Sequence, residues 1–91
     1  MNKSELIERV SAESGLSKAQ TSEVLDAFIK AITTSLNDGQ VVSLIGFGTF
    51  QVKDRAARQG RNPQTGETML LPAKRVPVFK AGKGLKDKVN S

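Results

Sequence analysis

From Lys53 to Thr68 the chain carries no large apolar side chain, yet strand-like residues flank this stretch on both sides. That feature constrains the fold most, because a segment without apolar side chains cannot pack into a core. Within it Arg55, Arg58 and Arg61 recur at three-residue spacing, and Asn62-Pro63-Gln64-Thr65-Gly66 has the composition of a turn. The stretch therefore reads as a β-hairpin arm held out in solvent, cationic along its sides, with Pro63 at its tip. Cationic sides attract a polyanion, and a rigid apolar tip can push between base steps.

The rest of the chain must supply the stability. With the arm outside the core, about 70 of the 91 residues remain, and a domain of that size is marginal alone. There is no cysteine for a disulfide and no histidine. A Cys- or His-based metal site is thereby excluded and no cofactor is expected. Loss of the usual nucleophile and base argues against an enzyme. A partner subunit is the economical source of the missing stability. The opening Met1-Asn2-Lys3-Ser4-Glu5 reads as a helix start rather than a signal peptide, since no apolar run follows. No stretch is long and apolar enough to cross a bilayer, so an intracellular, cytoplasmic protein is expected.

Charge divides the chain. Through Ile45, Lys3, Arg9, Lys18 and Lys30 face six carboxylates, a balance of −2; from Gly46 onward ten cations face Asp54, Glu67 and Asp87, a balance of +7. A near-neutral first half and a strongly basic second half separate a scaffold from a polyanion-binding surface. No basic amphipathic helix with an aromatic face is present to suit a membrane.

Hydrophobic spacing gives an α+β fold. Asn2 and Glu5 stand at capping-box spacing ahead of Leu6, Ile7 and Val10, and Gly15 ends that helix. Ser17 and Gln20 repeat the spacing before a longer helix whose stripe is Leu25, Phe28, Ile29, Ile32 and Leu36, closed by Asn37-Asp38-Gly39. Val41 to Leu44 forms a short strand, Gly46-Phe47-Gly48 a turn, and a second strand starts at Thr49. The return strand runs from Thr68 to about Lys80. Its Pro72 and Pro77 place it at a sheet edge, because proline cannot donate to a ladder. A short helix, Lys83 to Val89, ends the chain. Gly84 lies inside it where a better helix former is expected, at a cost of up to about 1 kcal/mol. Phe28, Ile29, Ile32, Leu36, Leu44, Phe47, Phe50 and Phe79 are the expected core, shared between subunits. The expected organisation is a single domain: residues 1–45 as helical dimerisation body and first strand, 46–81 as sheet and arm, 82–91 as terminal helix.

Each basic residue has a plainer reading beside the functional one. On a regular strand Arg55 and Arg61 share a face while Arg58 takes the other, so all three meet one target only through strong twist or a bulge, which Gly60 permits. Taken alone, Pro63 is a turn residue; its place at the far point of a basic arm is what suggests a wedge. Arg61 and Asn62 beside it suit minor-groove edges. Either Lys74 or Arg75 is expected to face nucleic acid, with Lys80 on the same strand. Lys83 and Lys86 fit a solvated helix face and a phosphate contact equally well.

The order of two capped helices, Gly46-Phe47-Gly48-Thr49-Phe50, Arg61-Asn62-Pro63-Gln64-Thr65-Gly66 and Phe79-Lys80-Ala81-Gly82-Lys83 resembles the bacterial HU/IHF family over nearly the whole chain. Arg55-Ala56-Ala57-Arg58 makes it more similar to HU, especially its beta type, than to integration host factor. The resemblance implies an intertwined dimer with a helical body and a three-stranded antiparallel sheet extending into a long β-hairpin arm. It implies two arms embracing the minor groove of double-stranded DNA in the nucleoid, Pro63 inserted between base pairs, and little sequence preference. It also implies backbone contacts from Lys3, Lys53, Lys83 and Lys86. Bent or nicked DNA and RNA carry the same charge, although no aromatic platform on the basic surface suits single-strand stacking. A homodimer is expected, with pairing to a paralogue as the variant. The alternative is an integration-host-factor-like subunit that bends defined sites.

Overall fold

The computed structural model describes residues 1–91, as three helices and five strands: α1 (Lys3–Ser14), α2 (Lys18–Asn37), β1 (Val42–Leu44), β2 (Gly48–Arg55), β3 (Arg58–Arg61), β4 (Thr68–Leu71), β5 (Lys74–Ala81) and α3 (Lys83–Val89). They fall into two compact units, Met1–Ser35 and Leu36–Ser91.

In the first unit the caps act where the sequence places them. Asn2 Oδ1 accepts from the Glu5 backbone N–H at 2.9 Å, and Gly15 closes α1 in the left-handed region with its N–H on Ser11 O at 3.0 Å. At the start of α2 the box is reciprocal: the Gln20 N–H donates to Ser17 Oγ and the Ser17 N–H donates to Gln20 Oε1, both at 3.1 Å. Thr21, one turn in, is the one buried polar side chain, 2 % exposed, and its Oγ1 has no partner. Beside it an apolar groove of about 130 Å³ is lined by Val10, Leu16, Val24, Leu25 and Phe28.

The second unit is built on an antiparallel sheet in the order β1-β2-β5. Its register pairs Val42 and Phe79 with Phe50, and Leu44 with Gly48. Period-2 alternation therefore sends Val42, Leu44, Phe50, Val52 and Phe79 to one face. There Phe79 packs tilted against Phe50 and Phe47, ring centroids 4.8 and 5.4 Å away. β2 begins at Gly48, one residue before the expected Thr49.

α3 explains its own glycine. The Leu85 N–H donates to Gly46 O at 3.0 Å and the Gly82 N–H to Phe47 O at 2.8 Å, so the helix sits directly on the β1–β2 turn. A Cβ on Gly84 would stand 2.6 Å from Gly46 O. Backbone meets backbone here, and the helix propensity lost at Gly84 is the cost of that approach.

The return strand differs from expectation. It is not continuous from Thr68 to Lys80 but breaks at Pro72-Ala73, opposite a break at Ala56-Ala57. Pro72 offers no N–H and holds its φ fixed, so the ladder stops on both sides at once. The three-stranded sheet thus ends at Arg55 and Lys74, and β3 and β4 form a separate two-stranded ladder beyond it. Pro77, by contrast, lies within β5, an outer strand of the sheet, as an edge position allows.

No apolar side chain of the chain is buried. Of the eight residues expected in the core, Phe28, Ile29, Phe47 and Phe79 remain 40–47 % exposed, and Ile32, Leu36, Leu44 and Phe50 are half-buried.

Candidate nucleic-acid interface

Alternation along β2 and β5 sorts the cations. Lys53, Arg55, Lys74 and Lys80 fall on the face opposite the phenylalanines, and all four are exposed. Ser43, Thr49 and Gln51 share that face. Val76 and Val78 lie there too, across from Lys53 and Gln51, so the face is cationic and free of carboxylates but not wholly polar; the phenylalanine face behind it carries Asp54 and Arg75 at its outer end.

Lys74 and Arg75 are neighbours and so must part company. Lys74 joins the basic face across from Arg55, whereas Arg75 lies across from Asp54 in the strand register, on the phenylalanine side and without an ion pair to it. From there its Nη2 donates to Leu36 O at 2.9 Å and Asn37 O at 3.0 Å. Those carbonyls end α2; Leu36 O also accepts from the Gly39 N–H at 3.0 Å, and the guanidinium adds a side-chain cap to both. Sequence reasoning left the pair undivided; the parity of the strand register is the signal that divides it.

Beyond the break, the arm's ladder is regular. Arg58 faces Leu71, Gln59 faces Leu70, Gly60 faces Met69 and Arg61 faces Thr68, with no bulge at Gly60. Arg58 and Arg61 therefore point to opposite faces. What brings cations together is the break itself: Arg55, Arg58 and Lys74 line a hollow of about 150 Å³ with Ala56, Leu71 and Pro72. Three cations around one concavity, without a carboxylate, make a place for a phosphate.

The tip is organised by Asn62. Its N–H donates to Glu67 O at 2.9 Å, its carbonyl accepts from the Gly66 N–H at 2.7 Å, and its Oδ1 accepts from the Gln64 N–H at 2.9 Å. That Asx turn, completed by Gly66 in the left-handed region at φ +74°, leaves Pro63 exposed at the apex. Asn62 thus has its acceptor committed to the turn and keeps its amide N–H groups for a ligand.

Lys3 stands apart in kind. It pairs with Asp26 at 2.6 Å, and Lys18 pairs with Glu8 at 3.5 Å; both ion pairs of the chain lie within Met1–Ser35. None of the ten cations after Gly46 has a carboxylate partner, Lys83 and Lys86 on α3 included. No group of three or more His, Cys, Asp or Glu side chains could hold a metal ion. No helix is long and apolar enough to cross a membrane.

A capped helical hairpin, a sheet with one cationic face, and a proline-tipped arm of unpaired cations define a small α+β protein made to hold a polyanion. The chain belongs to the bacterial DNA-binding protein family, whose model it matches over residues 1–90. It is 57 % identical over 90 residues to the DNA-binding protein HU-beta of Salmonella typhimurium, covering 99 % of this chain and 100 % of that one. To the DNA-binding protein HU of Geobacillus stearothermophilus it is 57 % identical over 89 residues, covering 98 % and 99 %. Among solved structures, a cocrystal of Anabaena HU with DNA superimposes with a TM-score of 0.92 at 45 % identity, covering 98 % of this chain and 97 % of that one.

Proposed function

We propose that this chain is a histone-like architectural protein of the bacterial nucleoid, without enzymatic activity, acting in the cytoplasm as a homodimer. Each dimer holds double-stranded DNA by the minor groove with little sequence preference, and bends and compacts it. The observation that carries this reading is the cationic sheet face of Lys53, Arg55, Lys74 and Lys80, which leads into an arm ending at the exposed Pro63. Phosphate neutralisation supplies affinity. Pro63, seated on the Asn62 turn, supplies a stiff wedge for an opened base step. The bend costs about 1–6 kcal/mol, offset by the contacts it adds, so flexible, bent or nicked duplexes are favoured over a particular sequence. Lys3, Lys83 and Lys86 would add backbone contacts. Lys3 must first leave Asp26, so its net contribution is smaller than that of the two free lysines. Two copies together would cover the apolar side chains that one copy leaves in water, making 1–91 a single domain that folds as a dimer.

The test combines a salt series with bending. If about four cations per chain reach phosphates, the dimer neutralises roughly eight, and the log–log slope of affinity against salt is near −7. Energy transfer across a short end-labelled duplex, read at saturation, should fall towards the unbent value for Pro63→Ala while affinity changes little. A slope near zero would defeat the phosphate reading, and full bending by Pro63→Ala would reduce the proline to a turn residue. A specificity ratio above about 10³ for one site over random duplex would instead identify a site-specific bender of the integration-host-factor kind.

A further inference from the structure

The chain has no cysteine, histidine, tryptophan or tyrosine and two methionines. Its oxidation chemistry therefore falls to two thioethers, those of Met1 and Met69. Met1 precedes the Asn2 cap, whereas Met69 lies in β4, within the arm. The ladder explains why Met69 is open, at 44 % exposed. It stands across from Gly60, which has no side chain to cover it. The space over Gly60 is taken by Leu71, whose Cδ1 would stand 3.1 Å from a Cβ there. With two strands alone, the arm has no core into which the sulfur could withdraw.

The neighbours give such a modification a consequence. Antiparallel pairing puts Arg58, Gly60, Met69 and Leu71 on one face of the ladder. Arg58 is the diagonal neighbour of Met69, a separation that long side chains span, and it has no carboxylate partner. A thioether accepts hydrogen bonds weakly, whereas a sulfoxide is polar and its oxygen accepts well. A guanidinium that donates to that oxygen has fewer N–H groups to offer a phosphate. We propose that Met69 is an oxidation site for a peroxide-class oxidant, and that its sulfoxide holds Arg58 back from a polyanion. A sulfur lone pair attacks one peroxide oxygen, forming an S–O bond as the O–O bond breaks. The proton on the transferred oxygen passes to the departing hydroxide, which leaves as water. Sulfur loses two electrons and the peroxide gains them. Methionine sulfoxide reductases reverse the change. The oxidation itself needs no ligand; its effect on binding rests on the DNA-binding reading above.

The test treats the full-length parent, Met69→Leu and Arg58→Gln with hydrogen peroxide. Peptide masses count the oxygen gained at each methionine, and affinity for random duplex is measured before and after. In the parent, Met69 should gain one oxygen and affinity should fall about two- to fivefold, the scale of one hydrogen bond. Treatment with a sulfoxide reductase should restore it. Met69→Leu, oxidised at Met1 alone, should keep its own untreated affinity. Arg58→Gln, oxidised at Met69, should lose nothing further, because the cation that the sulfoxide withdraws is already gone. The proposal is overturned if Met69 stays unoxidised while Met1 is converted, or if its conversion leaves the parent's affinity unchanged. It is also overturned if treated Met69→Leu or treated Arg58→Gln falls as far as the parent, which would place the effect at Met1 or outside Arg58. A parent that binds no duplex even at low salt, treated or not, would defeat the DNA-binding reading and with it the effect on binding. The masses would still decide whether Met69 is the oxidation site.

Discussion

Arg75 and Asn62 show where residue identity alone stops. Both were legible as polar groups near a basic surface, and neither role was. A side chain's direction depends on strand parity, which is fixed only once the register with β2 is known. The Asx turn depends on which backbone N–H lies within reach of Oδ1. Arg75→Ala is therefore expected to lower folding stability by about 1–3 kcal/mol, since it uncaps α2, and to leave the salt dependence of DNA binding unchanged. Lys74→Ala should do the opposite, flattening the slope with little loss of stability. Chemical denaturation alongside a salt titration separates them; equal effects on both readouts would show that the two side chains share one role. At the tip, Asn62→Ser keeps an acceptor for Gln64 N–H without adding charge, while Asn62→Ala discards it, and both lose the amide donors alike. Only the alanine variant should lose bending in proportion to Pro63→Ala, as energy transfer across the duplex would report.

Helices and strands were largely legible from the sequence because their signals are local. The N-cap at Asn2, the capping box at Ser17 and the glycines at 15 and 39 bound α1 and α2. The break in the arm is not legible in the sequence, where Pro72 reads only as an edge residue. Its effect on the opposite strand, which stops at Ala56-Ala57, is non-local. Gly84 was puzzling for a similar reason, since a helix propensity says nothing about the turn beneath. The sign of one substitution follows. Gly84→Ala gains about 1 kcal/mol of propensity in an isolated helix, yet in this protein it should destabilise, because the added methyl meets Gly46 O at 2.6 Å. A thermal midpoint that rises in Gly84→Ala would mean α3 does not rest on that turn.

For the whole molecule, charge was readable in advance and packing was not. The split between a −2 and a +7 half is a sum over residues, whereas burial is a property of the assembly. None of the eight residues expected in the core is buried in a single chain. If two copies bury them together, folding and association are one equilibrium, and the unfolding midpoint must rise with protein concentration. A midpoint constant over two decades of concentration, with a monomeric mass in solution, would contradict this. The exposed apolar side chains also bear on how long a chain survives. A copy without a mate is the species that proteases and chaperones encounter, with its phenylalanines still in water. If a cell makes this chain together with a paralogue in unequal amounts, the mated copies persist and the surplus is cleared. Turnover, rather than synthesis, would then set the ratio of the two, and pulse-labelled excess chain should decay faster than the paired pool.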